Sequence, residues 1–399
     1  MSWEGEGDTG YICNVDLDYP TSLHDNSAHF EFPLAPEKIA IPKNHLSQYQ
    51  QNLLKTLKTS YNSTTKKLIP HLGNRTGYVV HYKNLQYYLK KGMILKKVHD
   101  IIAFDQRQWL KPFILKNTLL RQKAKSKFEQ DLFKLINNSI FGKSMQQMRN
   151  RMNVKITDNP TSILKHTKKP NHKTFEIVHK KLAILFSSKP TVLLDRPLYT
   201  AFSVLDLSKL YMYEWHYDKI KEWYGNNANL LYTDTDSLIY QIYTDNLFED
   251  LKCHEEDFDF GDYDSKSEIN GFLSSPKNKK VLGKMKDEAH GKILFSFIGL
   301  APKMYSIVGE HNYKVTKAKG VKRALVKKAL THEFFRKSLF KQRVYECKMN
   351  LMRSKNHKLF VANFKKRAIH NFESKRYILD GGVRSRPHYH FKNEATSLK

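Results

Sequence analysis

The chain has 399 residues, and 68 lysine and arginine residues against 39 acidic residues give it a formal net charge of +29. A chain of this length can bury a large core and ordinarily forms two or three domains. Its 23 phenylalanines and 22 tyrosines argue against a disordered basic tail, because they supply a core. The charge favours a polyanionic partner with salt-dependent binding, while a membrane surface or a ribosomal contact stays open as an alternative.

The cysteines and the first residues argue against a zinc-binding, secreted or membrane-spanning protein. Cys13, Cys253 and Cys347 are widely spaced, and no Cys-x-x-Cys pair points to a structural zinc site. Reduced thiols predict an intracellular protein, in the nucleus if the host is eukaryotic. The acidic start lacks the apolar stretch of a signal peptide, and no apolar run reaches the ~18 residues of a membrane span, so we expect no membrane partner.

The first half of the predicted order runs from a turn-rich start to a helical region. In chain order we expect a turn-rich region at 1–77 with a helix within 44–60, a strand–helix–strand unit at 78–106 whose helix ends at Gly92, and a helical region at 109–148. Lys123, Lys127 and Lys134 would share one face of that last region. Taken alone, such a stripe is usually a solvated face.

The second half is predicted to be richer in strands. In chain order we expect a polar region at 153–191 with a strand near 174–178, a helix from an N-cap at Ser203 to Tyr224 ended by Gly225, a hairpin at 228–242, an acidic loop at 249–268, strands within 279–307, and a basic region at 316–399 with a helix near 332–347. No internal repeat interrupts this order.

The hairpin holds the most informative residues of the chain. Asp234 and Asp236 lie between two apolar runs, Ala228–Tyr232 and Ser237–Ile242, which predict two strands joined by a tight turn. Two carboxylates held close together suit a hard divalent cation such as Mg²⁺, which shares its oxygen ligands with substrate phosphates. Polymerases use two such ions. An ordinary Asp-rich turn is the alternative, since Asp and Thr are common turn residues.

Three motifs, in order, resemble those of family B DNA polymerases. Tyr232-Thr-Asp234-Thr-Asp236-Ser resembles the family's Tyr-x-Asp-Thr-Asp-Ser motif. Lys134-Leu-Ile-Asn-Asn138-Ser-Ile-Phe141-Gly142 resembles its fingers motif, with Phe where the family has Tyr. Lys303-Met-Tyr305 resembles the Lys-x-Tyr motif of the protein-primed branch. Two further segments, 15–24 and 317–322, resemble the polymerases of Polinton transposons and related viruses. The resemblance covers nearly the whole chain.

The resemblance implies a role for each residue of the fingers motif. Lys134 would contact the phosphates of the incoming nucleotide, with Lys127 and Asn138 on the same side of the helix. Phe141 would pack on the sugar and base of that nucleotide, although core packing is the alternative for this residue alone. Gly142 would let the templating base approach the backbone closely.

The resemblance also implies roles around the hairpin. Asp236 would be the direct metal ligand with Asp234 beside it, and these two acids would form the catalytic site with two Mg²⁺ ions. Tyr232 would approach the primer end, or else pack in the core. Lys303 and Tyr305 are expected to alternate on one strand and to contact the primer strand together.

The chain departs from the family at its first acidic motif. The family needs a third carboxylate before the fingers, and we find no match for its motif. The segment that contains Asp16 and Asp18 resembles a stretch that follows the motif in Polinton-like relatives. The family's exonuclease domain is also absent. The resemblance therefore implies the C-terminal portion of a larger polymerase, with a two-ion site that lacks one acid.

Taken together, the predicted fold is α+β: a polymerase core with an antiparallel palm sheet, helical fingers and a small thumb. The predicted domains are a palm edge with an insertion-like region at 1–77, palm at 78–108, fingers at 109–148, a second insertion-like region at 149–195, palm at 196–310 and a thumb-like region at 311–399.

The expected function is template-directed DNA synthesis by nucleotidyl transfer in the replication of a mobile element or virus. Its partners would be a DNA template and primer, deoxynucleoside triphosphates and a terminal primer protein. The alternatives are a catalytically dead DNA-binding remnant and a basic structural protein.

Overall fold

The computed structural model describes residues 7–355 and 358–394. The chain divides into two compact units: one runs up to Gln108 and resumes at Asp206, and the other spans Trp109–Leu205. Both units combine helices with antiparallel strand pairs, which confirms the predicted α+β class.

The first part of the larger unit is built around one strand. Its elements are β1 (Thr9–Asp18), α1 (Ser27–Glu31), β2 (Glu37–Ile39), α2 (Gln48–Thr56), β3 (Lys67–Ile69), β4 (Arg75–His81), α3 (Tyr82–Lys90) and β5 (Ile94–Asp105). Strand β1 lies between β4 and β5, and its alternation buries Val15 and Leu17 completely. The predicted strand–helix–strand unit is confirmed, and Gly92 follows α3 with a left-handed φ of 99°.

The second unit begins with two helices where we expected a nearly unbroken one. Its elements are α4 (Lys111–Lys123), α5 (Lys127–Ser144), β6 (Met152–Thr157), α6 (Pro160–Thr167), β7 (His172–His179) and β8 (Leu182–Ser188), with β8 between β6 and β7. The chain breaks because Ser126 forms a capping box with Glu129 and starts a new helix. Lys123 therefore lies on α4, and the predicted stripe that joined it to Lys127 and Lys134 was wrong.

A long helical segment leads to the hairpin. It consists of α7 (Leu198–Glu214), a π-helical turn (Trp215–Ile220) and α8 (Lys221–Tyr224), and it ends at Gly225 with φ 51° as predicted. The predicted N-cap at Ser203 was wrong. The helix starts just after Pro197, and the Ser203 hydroxyl donates a 2.8 Å hydrogen bond to the Tyr199 carbonyl inside it.

The rest of the larger unit is mainly β-structure. Its elements are β9 (Ala228–Asp234), β10 (Ser237–Ile242), α9 (Leu247–Cys253), β11 (Leu294–Ala301), β12 (Met304–Gly309), β13 (Lys314–Ala318), α10 (Arg323–Ala329), α11 (His332–Lys341), β14 (Tyr345–Lys355), β15 (Lys358–Ile369), β16 (Tyr377–Ile378), β17 (Ser385–Arg386) and α12 (Phe391–Glu394). The predicted helix near 332–347 stops at Lys341, because Gln342 takes a left-handed φ of 52° and Cys347 belongs to β14. The strands expected within 279–307 start only at Leu294.

Separate apolar clusters stabilise the larger unit. One packs β1 and β4 against α3 and α7, and another packs the π-helical turn and the start of β9 against 258–273. Among the residues that the structure describes, none of the helices has both the length and the apolar character needed to cross a membrane.

Candidate metal hairpin and nucleotide helix

The two acids lie at the tip of the β9–β10 hairpin, as predicted. Ser237 pairs with Asp234, so only Thr235 and Asp236 form the turn. Thr235 takes a left-handed φ of 60°, and the Asp236 N–H donates a 2.7 Å hydrogen bond to the Asp234 carbonyl. Asp234 is partly exposed and Asp236 is exposed. Both carboxylates are therefore held on a tight turn with access to solvent.

Two long-range contacts fix the strands behind this turn. The Glu31 carboxylate accepts a 2.9 Å hydrogen bond from the Leu230 N–H and forms a 2.8 Å ion pair with Lys221. The Glu31 and Lys221 side chains are only 13% and 7% exposed, so this pair is well shielded from water. On the other strand, the Tyr240 hydroxyl and His216 Nδ1 lie 2.8 Å apart. The helices α1 and α8 and the π-helical turn thus hold the hairpin in place.

Lys303 lies beside the acids, but not on a strand as we predicted. It occupies the turn between β11 and β12 with a left-handed φ of 59°. Its Nζ lies 3.4 Å from Asp234 Oδ2, and its backbone N–H donates a 2.7 Å hydrogen bond to the Tyr232 hydroxyl. Because Pro302 precedes it, the ladder between the two strands stops there. Lys303 and Tyr305 therefore do not share a strand face, although both lie near the hairpin.

An aromatic cluster supports the same region. The rings of Tyr232 and Tyr305 lie 4.9 Å apart, and Phe297 lies 6.2 Å from the first and 6.0 Å from the second. Burial raises the pKa of Tyr232 and of Tyr305, and the nearby Asp234 carboxylate raises both further. Both phenols therefore stay neutral at physiological pH. Phe297 was not predicted; it lies on β11 and pairs with Ile307, two residues beyond Tyr305.

The donor set fits one divalent cation. Asp234 and Asp236 offer carboxylate oxygens, and Mg²⁺ readily completes its shell with water and phosphate oxygens. In the described ranges, 7–355 and 358–394, no group of three or more His, Cys, Asp or Glu side chains is placed to hold a metal ion. A second ion that needs a bridging carboxylate does not fit the residues described. Lys375, which the sequence did not single out, lies near enough to Asp234 for the two charges to interact.

Asp16 is engaged in its own sheet. Its Oδ1 accepts a 2.8 Å hydrogen bond from the Gly77 N–H and lies 2.8 Å from His99 Nε2. The Gly77 hydrogen bond, followed by the His99 contact, holds the pKa of Asp16 below its usual value. Asp18 pairs with Lys96 at 3.1 Å. These contacts give both acids a local structural role.

The predicted nucleotide-binding residues share helix α5 in the second unit. Lys127, Lys134, Asn138 and Phe141 recur at steps of seven, four and three, which places them along one side of the helix. Lys127 pairs with Asp131 at 3.1 Å, whereas Lys134 and Asn138 are exposed. Phe141 is partly buried.

Gly142 follows on the same helix with open space beside it: a Cβ added there would meet no atom within 4 Å. The backbone at this position is therefore accessible to a flat ligand, as the templating base would require.

Comparisons with models of protein families, with curated proteins and with solved structures find no match to this chain.

Proposed function

We propose that this chain carries out template-directed DNA synthesis by nucleotidyl transfer, as the core of a protein-primed family B DNA polymerase from a mobile element or virus. Three motifs in the family's order support the proposal. The observation that carries it is the hairpin: two acids occupy a tight turn, and the Lys-x-Tyr turn is hydrogen-bonded to the strand that leads to them. The polymerase fold, with palm, fingers and thumb, is part of the proposal.

The proposed reaction joins a primer to an incoming deoxynucleotide. The 3′-hydroxyl oxygen attacks the α-phosphorus and passes its proton to solvent water. Pyrophosphate leaves with the electron pair of the broken P–O bond. Mg²⁺, when bound, would neutralise phosphate charge and align these oxygens. Asp234 and Asp236 would hold that ion. The ion pair between Lys303 and Asp234 would break when the ion binds. Lys134 would pair with the departing phosphates, where a cation offsets developing charge.

The primer and template would contact neutral aromatic rings and basic side chains. Tyr232 and Tyr305 offer rings beside the acids, and Lys303 offers a cation for a phosphate once it is released from Asp234. In the second unit, Phe141 offers a flat face that selects base and sugar shape, and Gly142 leaves room for a template base. The net charge of +29 supplies the general attraction for DNA.

A DNA-binding remnant without catalysis is the second candidate. It is favoured by the metal site, where the described residues bring two carboxylates together and not three. The ion pair between Lys303 and Asp234 also satisfies one carboxylate without a metal. Such a remnant would bind DNA through its basic surface but would not respond to nucleotides.

Primer extension separates the two candidates. The purified chain is incubated with a primed template, Mg²⁺ and all four deoxynucleoside triphosphates, beside the Asp236→Asn variant and the Asp16→Asn variant as a matched control. We expect weak but template-directed extension that Asp236→Asn abolishes and Asp16→Asn keeps, with DNA binding intact in all three. Extension by the unaltered chain that does not exceed that of Asp236→Asn would favour the remnant.

A further inference from the structure

A second candidate site lies at the opposite end of the hairpin from the two acids. It is an open cleft of about 900 Å³ whose lining includes Trp223, Tyr224, Tyr243, Asp245, Asp250 and His254. Ala228 pairs with Ile242 at this end, six residues along β9 from Asp234. At about 3.3 Å per residue, that places the cleft roughly 20 Å from the acids.

Aromatic rings form much of the wall. The rings of Trp223 and His254 stack with centroids 3.7 Å apart at an angle of 12°. Tyr243 is 58% exposed, so one of its faces is available to a ligand. Tyrosine and tryptophan faces attract cations through their quadrupoles. Trp223 is already engaged, because the Lys219 ammonium lies 5.9 Å from the centre of its ring. Tyr243 therefore offers the open ring face for a flat or positively charged group.

Two carboxylates complete the cleft. Asp250 accepts a 2.6 Å hydrogen bond from the Thr244 hydroxyl, which fixes its orientation, and its carboxylate lies near the Tyr224 hydroxyl. Asp245 is exposed. Within the described part of the chain, neither carboxylate has a Lys, Arg or His nitrogen within ion-pair distance. Both negative charges thus remain available to a ligand.

Other acids nearby are neutralised by the protein itself. Four of them pair with lysines: Glu255 with Lys252, Glu256 with Lys277, Asp257 with Lys219, and Asp262 with Lys279. The cleft acids differ from these, because among the described residues no lysine lies within ion-pair distance of Asp245 or Asp250. Their two charges are therefore not neutralised by the protein itself.

We propose that this cleft binds an arginine side chain of a basic protein partner. A guanidinium group is planar, stacks on aromatic rings and pairs with carboxylates in two-point contacts, so it fits this wall better than a lysine ammonium does. The two carboxylates repel phosphates, which makes DNA and nucleotides unfavourable ligands for this cleft. The inference goes beyond DNA synthesis and does not depend on it.

The test uses the whole chain and a defined probe. Fluorescence anisotropy measures binding of a labelled Gly-Arg-Gly-Arg-Gly peptide, with a citrulline peptide of the same length as the uncharged probe. The double variant Asp245→Asn/Asp250→Asn should bind the arginine peptide about tenfold more weakly, the equivalent of one lost charged contact. The double variant Asp264→Asn/Glu268→Gln removes the same charge from exposed acids outside the cleft, and should leave binding unchanged.

A second variant tests the proposal independently, in case the first double variant misfolds. Tyr243→Ala removes only an exposed ring, and it should weaken peptide binding about threefold or more through the lost cation–π contact. Equal losses in the cleft and control double variants, or equal binding of the citrulline peptide, would overturn the proposal. Self-association of the chain that disappears in the cleft variant would identify a second copy as the occupant and overturn the assignment to a separate partner.

Discussion

The backbone N–H of Lys303 donates a 2.7 Å hydrogen bond to the hydroxyl of Tyr232, across 71 positions of sequence. This bond ties the β11–β12 turn to the strand that ends at Asp234. With the ion pair between Lys303 Nζ and Asp234 Oδ2, it makes two of the three motifs one connected structure. The positions of the acids, the tyrosine rings and the lysine are therefore interdependent.

Removing the Tyr232 hydroxyl should loosen this connection. Tyr232→Phe keeps the ring against Tyr305 but loses the hydrogen bond, so we expect the free energy of unfolding to fall by about 1 kcal/mol. Urea denaturation measures the change. Tyr243→Phe, at an exposed tyrosine, should change stability by less than about 0.5 kcal/mol. A Tyr232→Phe variant as stable as the unaltered chain would show that the hydrogen bond is dispensable.

Lys303 should affect metal binding and DNA binding in opposite directions. Lys303→Ala removes a cation that competes for Asp234, so Mn²⁺ should bind about twofold to fivefold more tightly, in line with an exposed ion pair. DNA affinity should fall, because one phosphate contact is lost. Electron paramagnetic resonance of Mn²⁺ and a DNA titration give the two values. Lys337→Ala, which breaks the exposed pair with Glu333, is the control, and a parallel fall of both affinities would argue against competition.

The two lysines on one side of helix α5 should differ in importance. Lys127 already pairs with Asp131, whereas Lys134 is exposed at the start of the fingers motif. Lys134→Ala should raise the nucleotide concentration needed for half-maximal primer extension by about tenfold, the cost of one charge-assisted contact. DNA affinity should stay within about twofold. Lys127→Ala should have a smaller effect on the nucleotide. If Lys134→Ala instead weakens DNA binding selectively, Lys134 contacts the template.

Stability should decline in mild acid because several histidines are buried. Burial, with a smaller contribution from the nearby Lys221 charge, lowers the pKa of His216 to about 3, and burial lowers the pKa of His29 to about 4. These pKa values lie below the unfolded value of about 6.5, so the folded state binds fewer protons. Their contribution is fully present above about pH 6.5 and is lost as pH falls through 6.5 toward the folded values, by up to about 1.4 kcal/mol per unit for each group.

Urea unfolding between pH 8 and pH 4.5 measures this dependence. His216→Gln should reduce the slope by about one proton below pH 6. An unchanged slope in His216→Gln would mean that this histidine is not the group that titrates.

Local sequence signals were enough to predict the hairpin and several boundaries. Apolar strands on both sides of Asp234 and Asp236 fix the register, and Gly225 ends its helix because glycine accepts a left-handed conformation. Two errors had visible signals. Ser126 and Glu129 form the capping-box pattern that divides the long helix, and Pro302 marks the turn that places Lys303 off the strand.

The supporting contacts of the site could not be predicted in the same way. Glu31 reaches Leu230 across 199 positions, and Lys375 lies near Asp234 although it falls in a segment without a motif. Neither residue has a spacing or neighbour that indicates its partner. Such contacts depend on how distant segments pack, and no local pattern in a single sequence indicates that packing.

The most direct test of the central claim is nucleotide-dependent retention of DNA. The chain is bound to a primed template in Mg²⁺ with a primer that lacks a 3′-hydroxyl, and its dissociation is followed at rising salt with each of the four deoxynucleoside triphosphates. We expect the nucleotide complementary to the next template base, and not the other three, to slow dissociation, and we expect Asp236→Asn to remove that effect while Asp16→Asn keeps it. Dissociation that is the same with all four nucleotides, or that is unaffected by Asp236→Asn, would contradict template-directed synthesis at this hairpin.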